Sequence, residues 1–311
     1  MKSKVMQKFW QGIFLTVFGG SSLWMSGVCA QQLEPRAYSN VPVGINFMIL
    51  GYGYASGAVL PEPSLPAEDV TARIQTAVAA YSRSLSLSGK SAQLSFLLPY
   101  ARASVDGKLE GVPQAVTREG LADPGIKLSV NLFGAPAMSL KEFASYRQDT
   151  IVGASLLVTA PFGQYDPTKL VNIGTNRWSI KPELGVSQAF DRWVFEAALG
   201  ATFFSDNDQY QGDKLRQQEP VYAMQLHAVY NLRTGMWAAL DGTYYNGGRT
   251  SVNGQLRDDV QANWRWGTTL AFPVNRYNSL KLYAHTGVYT RTGTDFDTIG
   301  LAWQYRWGAG F

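Results

Sequence analysis

The chain has 311 residues, with 27 Lys or Arg against 23 Asp or Glu, a single cysteine, 46% hydrophobic and 13% aromatic residues, and a mean hydropathy of −0.11. Three of the cations, Lys2, Lys4 and Lys8, stand in the N-terminal leader, so the remainder is close to neutral and argues for neither nucleic acid nor acidic partners. After that leader no stretch is long and apolar enough for a membrane-spanning helix, and one cysteine cannot staple a fold.

In chain order, the three lysines are followed by an apolar run from Phe9 to Trp24 and by the small residues Val28-Cys29-Ala30. This is the pattern of a cleaved secretory signal peptide over residues 1–30. Lipidation of Cys29 is the competing reading, but Val28 stands where the processing enzyme wants a small residue. Residues 31–43 (QQLEPRAYSNVPV) contain two prolines and no alternation. They are either a plug inside a lumen or a disordered periplasmic lead-in, and both readings stay open.

From residue 44 onward apolar and polar residues alternate with a period of two, which places large side chains on one face of a strand. The 31 glycines and the many Trp, Tyr and Phe residues favour short strands over helices. Alternation predicts twelve strands at 44–54, 74–87, 91–103, 124–133, 149–160, 176–188, 192–204, 220–232, 235–246, 262–273, 279–291 and 298–311. Tight turns are expected at Gly89-Lys90, Phe190-Asp191, Arg233-Thr234 and Asn275-Arg276-Tyr277. Longer polar segments are expected at 55–73, 104–123, 161–175, 205–219 and 247–261. Short joints on one side and long loops on the other describe an all-β, antiparallel up-and-down transmembrane barrel over residues 44–311, with both termini in the periplasm. Ten or fourteen strands result if 44–54 or 134–148 is misread.

One joint departs from that rhythm. Residues 134–148 (GAPAMSLKEFASYRQ) read as a small helix with Leu140, Phe143, Ala144 and Arg147 near one face. Such a turn either caps the barrel floor or docks a periplasmic partner.

Facing follows from the cost of a charge against lipid, about 2 to 4 kcal/mol at the bilayer midplane, so the polar sets must look inward. The lumen-lining candidates are Lys127, Asn131, Lys181, Glu183, Glu196, Gln225, His227, Asp241, Arg265, Lys281, Tyr283, His285, Gln304 and Arg306. One reading makes them ion pairs and hydrogen bonds that fill a barrel of intermediate size. The other adds Tyr283, Tyr289, Trp237 and Tyr245 as a lining for small polar or aromatic solutes, whose rings offer apolar faces and a polar tip.

The two histidines give little support to catalysis. His285 shares the lumen side with Lys281 and Tyr283, and His227 (QLHAV) has no serine beside it, so neither an outward phospholipase site nor a rim protease pair is visible. Asp206, Asp208 and Asp213 with Asn207 lack the glycine and terminal glutamate of a calcium loop. No metal, cofactor or phosphate-cradling motif is found. Acidic loops suit contacts with lipopolysaccharide bridged by divalent ions.

The last segment, Ile299 to Phe311, alternates Ile299, Leu301, Trp303, Tyr305, Trp307 and Phe311 with small or polar residues. Its Trp303, Tyr305, Trp307 and terminal Phe311 resemble the signal read by the bacterial barrel-assembly machinery. Three blocks carry a wider likeness: SLKEFASYRQDTIVGASLLVTAPFGQYDPTKLVNIGTNRWSIKPELGVS, LEPRAYSNVPVGINFMILGYGYASGAV and TDFDTIGLAWQYRW. With them the chain resembles the outer-membrane family named for the MetA pathway of phenol degradation. The resemblance implies an outer-membrane transporter for phenol or related aromatics and supplies no ligand residues. The expectation is a passive conduit in a Gram-negative outer membrane, with partners limited to outer-membrane lipid, lipopolysaccharide, the assembly machinery and a small hydrophobic or aromatic solute, and no nucleic acid. Release would be to the periplasm or sideways through a wall gap. The alternatives are a structural or surface-adhesive barrel and, behind it, a hydrolase.

Overall fold

The computed structural model describes residues 35–60, 67–109, 111–169, 171–233 and 235–310; the leader at 1–30, residues 31–34 and the terminal Phe311 lie outside them. Strands occupy β1 (Ile45–Leu60), β2 (Ala67–Leu87), β3 (Lys90–Leu109), β4 (Val112–Leu121), β5 (Gly125–Phe133), β6 (Thr150–Thr159), β7 (Ser179–Phe190), β8 (Trp193–Phe204), β9 (Asn207–Tyr210), β10 (Lys214–Gln218), β11 (Val221–Arg233), β12 (Met236–Gly247), β13 (Thr250–Val252), β14 (Gln255–Leu256), β15 (Gln261–Pro273), β16 (Asn278–Tyr289) and β17 (Gly293–Gly308). Among the described residues one helical turn, α1 (Leu140–Phe143), interrupts them.

Twelve of these strands close a barrel in the order β1-β2-β3-β5-β6-β7-β8-β11-β12-β15-β16-β17, and every neighbouring pair is antiparallel. The closing seam is long: β1 and β17 pair continuously from Ile45 with Gly308 to Leu60 with Gly293. Closure leaves no backbone edge for lipid to meet, which a strand-built membrane protein requires.

Burial alternates along each wall strand as the period of two dictates. On β7 the outward Ile180, Leu184 and Val186 are exposed while Glu183 and Ser187 are buried. On β11 the outward Tyr222 and Leu226 alternate with Ala223, Gln225, His227 and Val229. The exposed outer face carries Leu, Ile, Phe and Trp in a belt that would aggregate in water and is at home in hydrocarbon. Near the end that holds the chain termini, Trp193 stacks with Phe195 and touches Tyr230, and Trp303, Tyr305 and Trp307 stack in series. These rings form an aromatic girdle at the polar boundary.

The two ends of the barrel differ. At the turn end β2 and β3 meet through Ser88-Gly89, both with positive φ (50° and 76°), the conformation of a two-residue hairpin that follows strand twist. At the other end the segments expected to be loops are partly strand. Strands β1, β2 and β3 run on beyond their expected limits, β4 pairs with the outer part of β3 within 104–123, and β9, β10, β13 and β14 form a small separate sheet from 205–219 and 247–261. Short polar strands that pair with one another, or as β4 does with the extension of β3, have no lipid face to signal them, so alternation missed them.

Strands β4 and β5 lie on the same side of β3, separated by Ala122-Asp123-Pro124. Only Ala92 to Leu97 of β3 pair with β5, and β4 pairs with β3 alone. The wall between β4 and the segment after β6 is therefore closed by single contacts such as Gln164 N–H to Leu121 O (2.7 Å) and Ala160 N–H to Pro124 O (3.0 Å).

The 134–148 joint is shorter as a helix than expected. Helix α1 ends at Phe143, which is buried and stacks on Tyr146, whereas Arg147 is exposed and belongs to no packed face. A capping box starts it: Ser139 Oγ accepts from Glu142 N–H while the Glu142 carboxylate accepts from Ser139 N–H at 2.8 Å.

Candidate functional site: the barrel interior

The interior divides into two walls. Over β1 to β3 the inward side chains Ile45, Phe47, Ile49, Ala55, Ala72, Ile74, Val78, Ala80, Leu97, Ala101 and Ala103 are buried in one apolar cluster with Phe296 and Ala302 of β17, and the hydroxyls of Thr76, Ser82 and Ser84 are buried among them. Over β7 to β12 the inward side chains include the ionisable and amide groups of Lys181, Glu183, Glu196, Gln225, His227 and Asp241, with the apolar Val194, Val229, Trp237 and Ala239 toward the turn end. Both faces of β1 are apolar, since Met48, Leu50 and Tyr52 point outward. The rule that polar sets mark the lumen therefore had nothing to act on there.

On the polar wall Glu183 is a hub. It accepts from Lys181 Nζ (3.2 Å), Gln225 Nε2 (3.1 Å) and the Tyr38 hydroxyl (3.0 Å). One strand further round, Glu196 accepts from Ser187 Oγ at 2.9 Å and from the backbone N–H of Arg36 at 2.5 Å. Register then sets Glu196 beside His227 and His227 beside Asp241. His227 Nδ1 lies 2.7 Å from Asp241 Oδ1, and Thr269 Oγ1 donates to Asp241 Oδ2 at 3.0 Å. Each carboxylate in this band thus has a donor, which buried charge demands.

Residues 35–43 take part in the same band. The Arg36 guanidinium donates to Asn231 Oδ1 (3.0 Å) and stacks over Trp237 at 5.6 Å. The ring of Tyr38 lies flat on Gly153 of β6 and Gly185 of β7, a register pair; a Cβ on either would come within 2.1 or 2.3 Å of it. Asn40 Nδ2 donates to Pro136 O (3.2 Å), and Val43 N–H to Met138 O (2.8 Å), before the chain enters β1. The segment thus runs from β8 and β11, across β6 and β7, to the start of β1. Tyr38, Asn40 and Val41 are buried along it.

The other sequence candidates fall at different heights. Lys127 and Asn131 are buried on β5, with Lys127 close to the Glu183 carboxylate. Arg265 is almost fully buried and reaches His285 Nδ1 (3.4 Å) and Thr294 O (3.0 Å). Tyr283 stacks with His285 and covers Gly300. Lys281 and Gln304 sit half-buried on inward positions nearer the turn end, and Arg306 Nε donates to Arg276 O (2.8 Å) in the β15–β16 turn. Gln225, Trp237 and Tyr245 are buried on the inner face.

Tyr289 departs from the expectation: it points outward and is exposed. A register shift opposite Trp264 and Arg265 leaves Val288 bulged, and the extra residue reverses the parity of everything after it. Trp303, Tyr305 and Trp307 of the closing strand are on the outer face. In the 205–219 loop Asn207, not an aspartate, is the buried member; it bonds Thr175 O, the Tyr165 hydroxyl and Asn176. Among the described residues no group of three or more His, Cys, Asp or Glu is placed to hold a metal ion. A groove of about 590 Å³ lies on the outer wall, floored by Ala197, Ala228 and Gly242 and rimmed by Phe195, Leu226 and Trp266. It backs onto the Glu196, His227 and Asp241 row.

Residues 52–304 match the family described as "Putative MetA-pathway of phenol degradation". The chain belongs to this family. Among solved structures it is similar to an outer-membrane channel from Pseudomonas putida F1 (19% identity, TM-score 0.75), with 89% of this chain and all of that one covered. That likeness supports the twelve-stranded fold. Weaker likenesses link it to the β domain of the Bordetella autotransporter BrkA (10% identity, TM-score 0.49, covering 85% of this chain and all of that one) and to the transport unit of the autotransporter AIDA-I from Escherichia coli (10%, 0.48, covering 90% and 93%). No curated protein matches the chain.

Sequence reasoning missed three things in this family member: the apolar inner wall, the anchoring of Tyr38 and Arg36, and Asp123. Asp123 is buried between β4 and β5 and accepts from Gly163 N–H (2.9 Å), Thr175 N–H (2.8 Å) and Thr175 Oγ1 (2.6 Å). A lone acid before a proline is the only signal it leaves in the sequence.

Proposed function

We propose that the chain is a passive outer-membrane channel for small hydrophobic or aromatic compounds, with the long loops extracellular and the termini periplasmic. The observation that carries this reading is the split interior. A largely apolar wall over β1 to β3, broken by Thr76, Ser82 and Ser84, faces a wall richer in internally paired polar groups. A water-filled porin lumen is polar throughout, whereas an apolar strip lets a ring slide without losing its contacts while its polar tip meets hydroxyls and amides. The described part of the N-terminal segment, residues 35–43, acts as a plug in this reading, because Arg36, Tyr38 and Asn40 reach across the periplasmic half of the interior. The carboxylates of the band are held by hydrogen bonds from Lys181, Gln225, Ser187, His227 and Thr269, which suits a wall that fills and shapes the path. The Pseudomonas channel is named as a channel, which agrees with the reading.

Initial uptake of a radiolabelled aromatic hydrocarbon, measured in cells of a Gram-negative strain with and without the protein at limiting solute, tests the proposal. Uptake should rise with the protein present. Equal rates would favour a structural or surface-adhesive barrel.

A further inference from the structure

At the loop end of the polar wall two arginines stand without a carboxylate. Arg177 precedes β7 on the inward parity of Ser179, Lys181 and Glu183 and is only 9% exposed. Its guanidinium stacks on Phe204 at 4.2 Å, and Nη2 donates to Gln218 Oε1 at 2.6 Å. Nη1 is buried with no hydrogen-bond partner. Arg216 lies two residues before Gln218 on β10, so both side chains share one face of that strand. Its guanidinium stacks on Tyr210 at 5.1 Å. Arg216 pairs in register with Asn207, which is tied to Thr175 and Asn176, the residues just before Arg177. Among the described residues neither arginine makes an ion pair. The acid whose charge acts on Arg177, Asp123, has both oxygens committed to Gly163 and Thr175. Burial, together with the like charge of Arg216, holds the Arg177 guanidinium below its ordinary pKa.

A buried guanidinium with an idle N–H and a like-charged neighbour is an arrangement that costs stability unless an anion completes it. We propose that Arg177 and Arg216 form a capture site for an anionic aromatic solute, such as a ring bearing a carboxylate, at the extracellular mouth of the lumen. Arginine suits this because its plane stacks on aromatic faces while its edge takes a carboxylate in two hydrogen bonds. Phe204 extends the site downward, since it packs against Val221, Ala223 and Tyr245 at the top of the inner wall. A lipopolysaccharide phosphate offers similar oxygens, but Arg177 faces inward and it is its neighbour Trp178, 47% exposed, that meets the lipid side. The inference deepens the channel reading and rests on it, because only a solute that travels the lumen passes this point.

Calorimetric titration of the full chain in detergent with benzoate and with benzyl alcohol, its neutral counterpart, provides the test. Benzoate should bind about tenfold more tightly than benzyl alcohol, and the R177Q/R216Q variant should lose that preference while still binding benzyl alcohol as before. The R177K/R216K variant, which keeps the charge, should retain part of the preference and shows that the site tolerates replacement. Equal binding of the two probes by the wild type, or a preference that survives in R177Q/R216Q, overturns the capture site and leaves the channel reading standing. Binding of neither probe likewise overturns the capture site, while the channel reading stands or falls on the uptake measurement. Loss of lipid A binding in R177Q/R216Q without any benzoate preference would assign the arginines to a lipid headgroup and overturn the solute site.

Discussion

At the scale of single residues, the contact that organises the interior is Tyr38 on Gly153 and Gly185. The ring reaches Glu183 only because two paired glycines let it lie against the backbone of β6 and β7. A side chain at either position would occupy the space of the ring. Gly185→Val places a residue favoured in strands at that point, so the wall should still form while Tyr38 and the segment bearing it are pushed off. We expect a higher single-channel conductance than wild type; an unchanged conductance would mean that the ring does not obstruct passage. Facing was legible wherever one parity carried charge, as with Lys181 and Glu183 against Ile180 and Leu184. It was not legible for Phe47 and Ile49, where both parities are apolar, nor for Tyr289, whose parity depends on a bulge without a sequence mark. Tyr38 carried no signal either, because its partners lie more than a hundred residues away.

At the scale of elements, strands with a lipid face were visible and those without one were not. The twelve wall strands alternate because one face meets hydrocarbon, whereas β4 pairs only with the loop-end extension of β3 and β9, β10, β13 and β14 pair only with one another. The turn α1 owes its position to the capping box between Ser139 and Glu142, and through Met138 it holds the chain where it enters β1. Hydrogen bonds from the Ser139 side chain and backbone hold the Glu142 carboxyl below its ordinary pKa. A depressed carboxylate contributes fully above its unfolded pKa and is lost as pH falls through the folded value. Acidification into that range should therefore loosen the turn, and Ser139→Ala should loosen it at neutral pH. Hydrogen exchange of the amides from residue 142 to 146 should then quicken by about fivefold, as expected for losing a cap. Unaltered exchange would show that packing of Phe143 alone fixes the turn.

At the scale of the whole molecule, closure through β1 and β17 makes a barrel of twelve strands, between the side-chain-filled eight and the open sixteen. In that intermediate size a short segment is enough to obstruct the interior, and the one from Arg36 to Val43 touches β6, β7, β8 and β11 on its way to β1. This segment, and not a narrow wall, limits the path in the channel we propose. Planar-bilayer conductance of residues 31–311, compared with a chain beginning at Gly44, tests it directly. Little or no current is expected from the longer chain and stable open-channel current from the shorter one. Equal currents from both chains, whether open or silent, would contradict it.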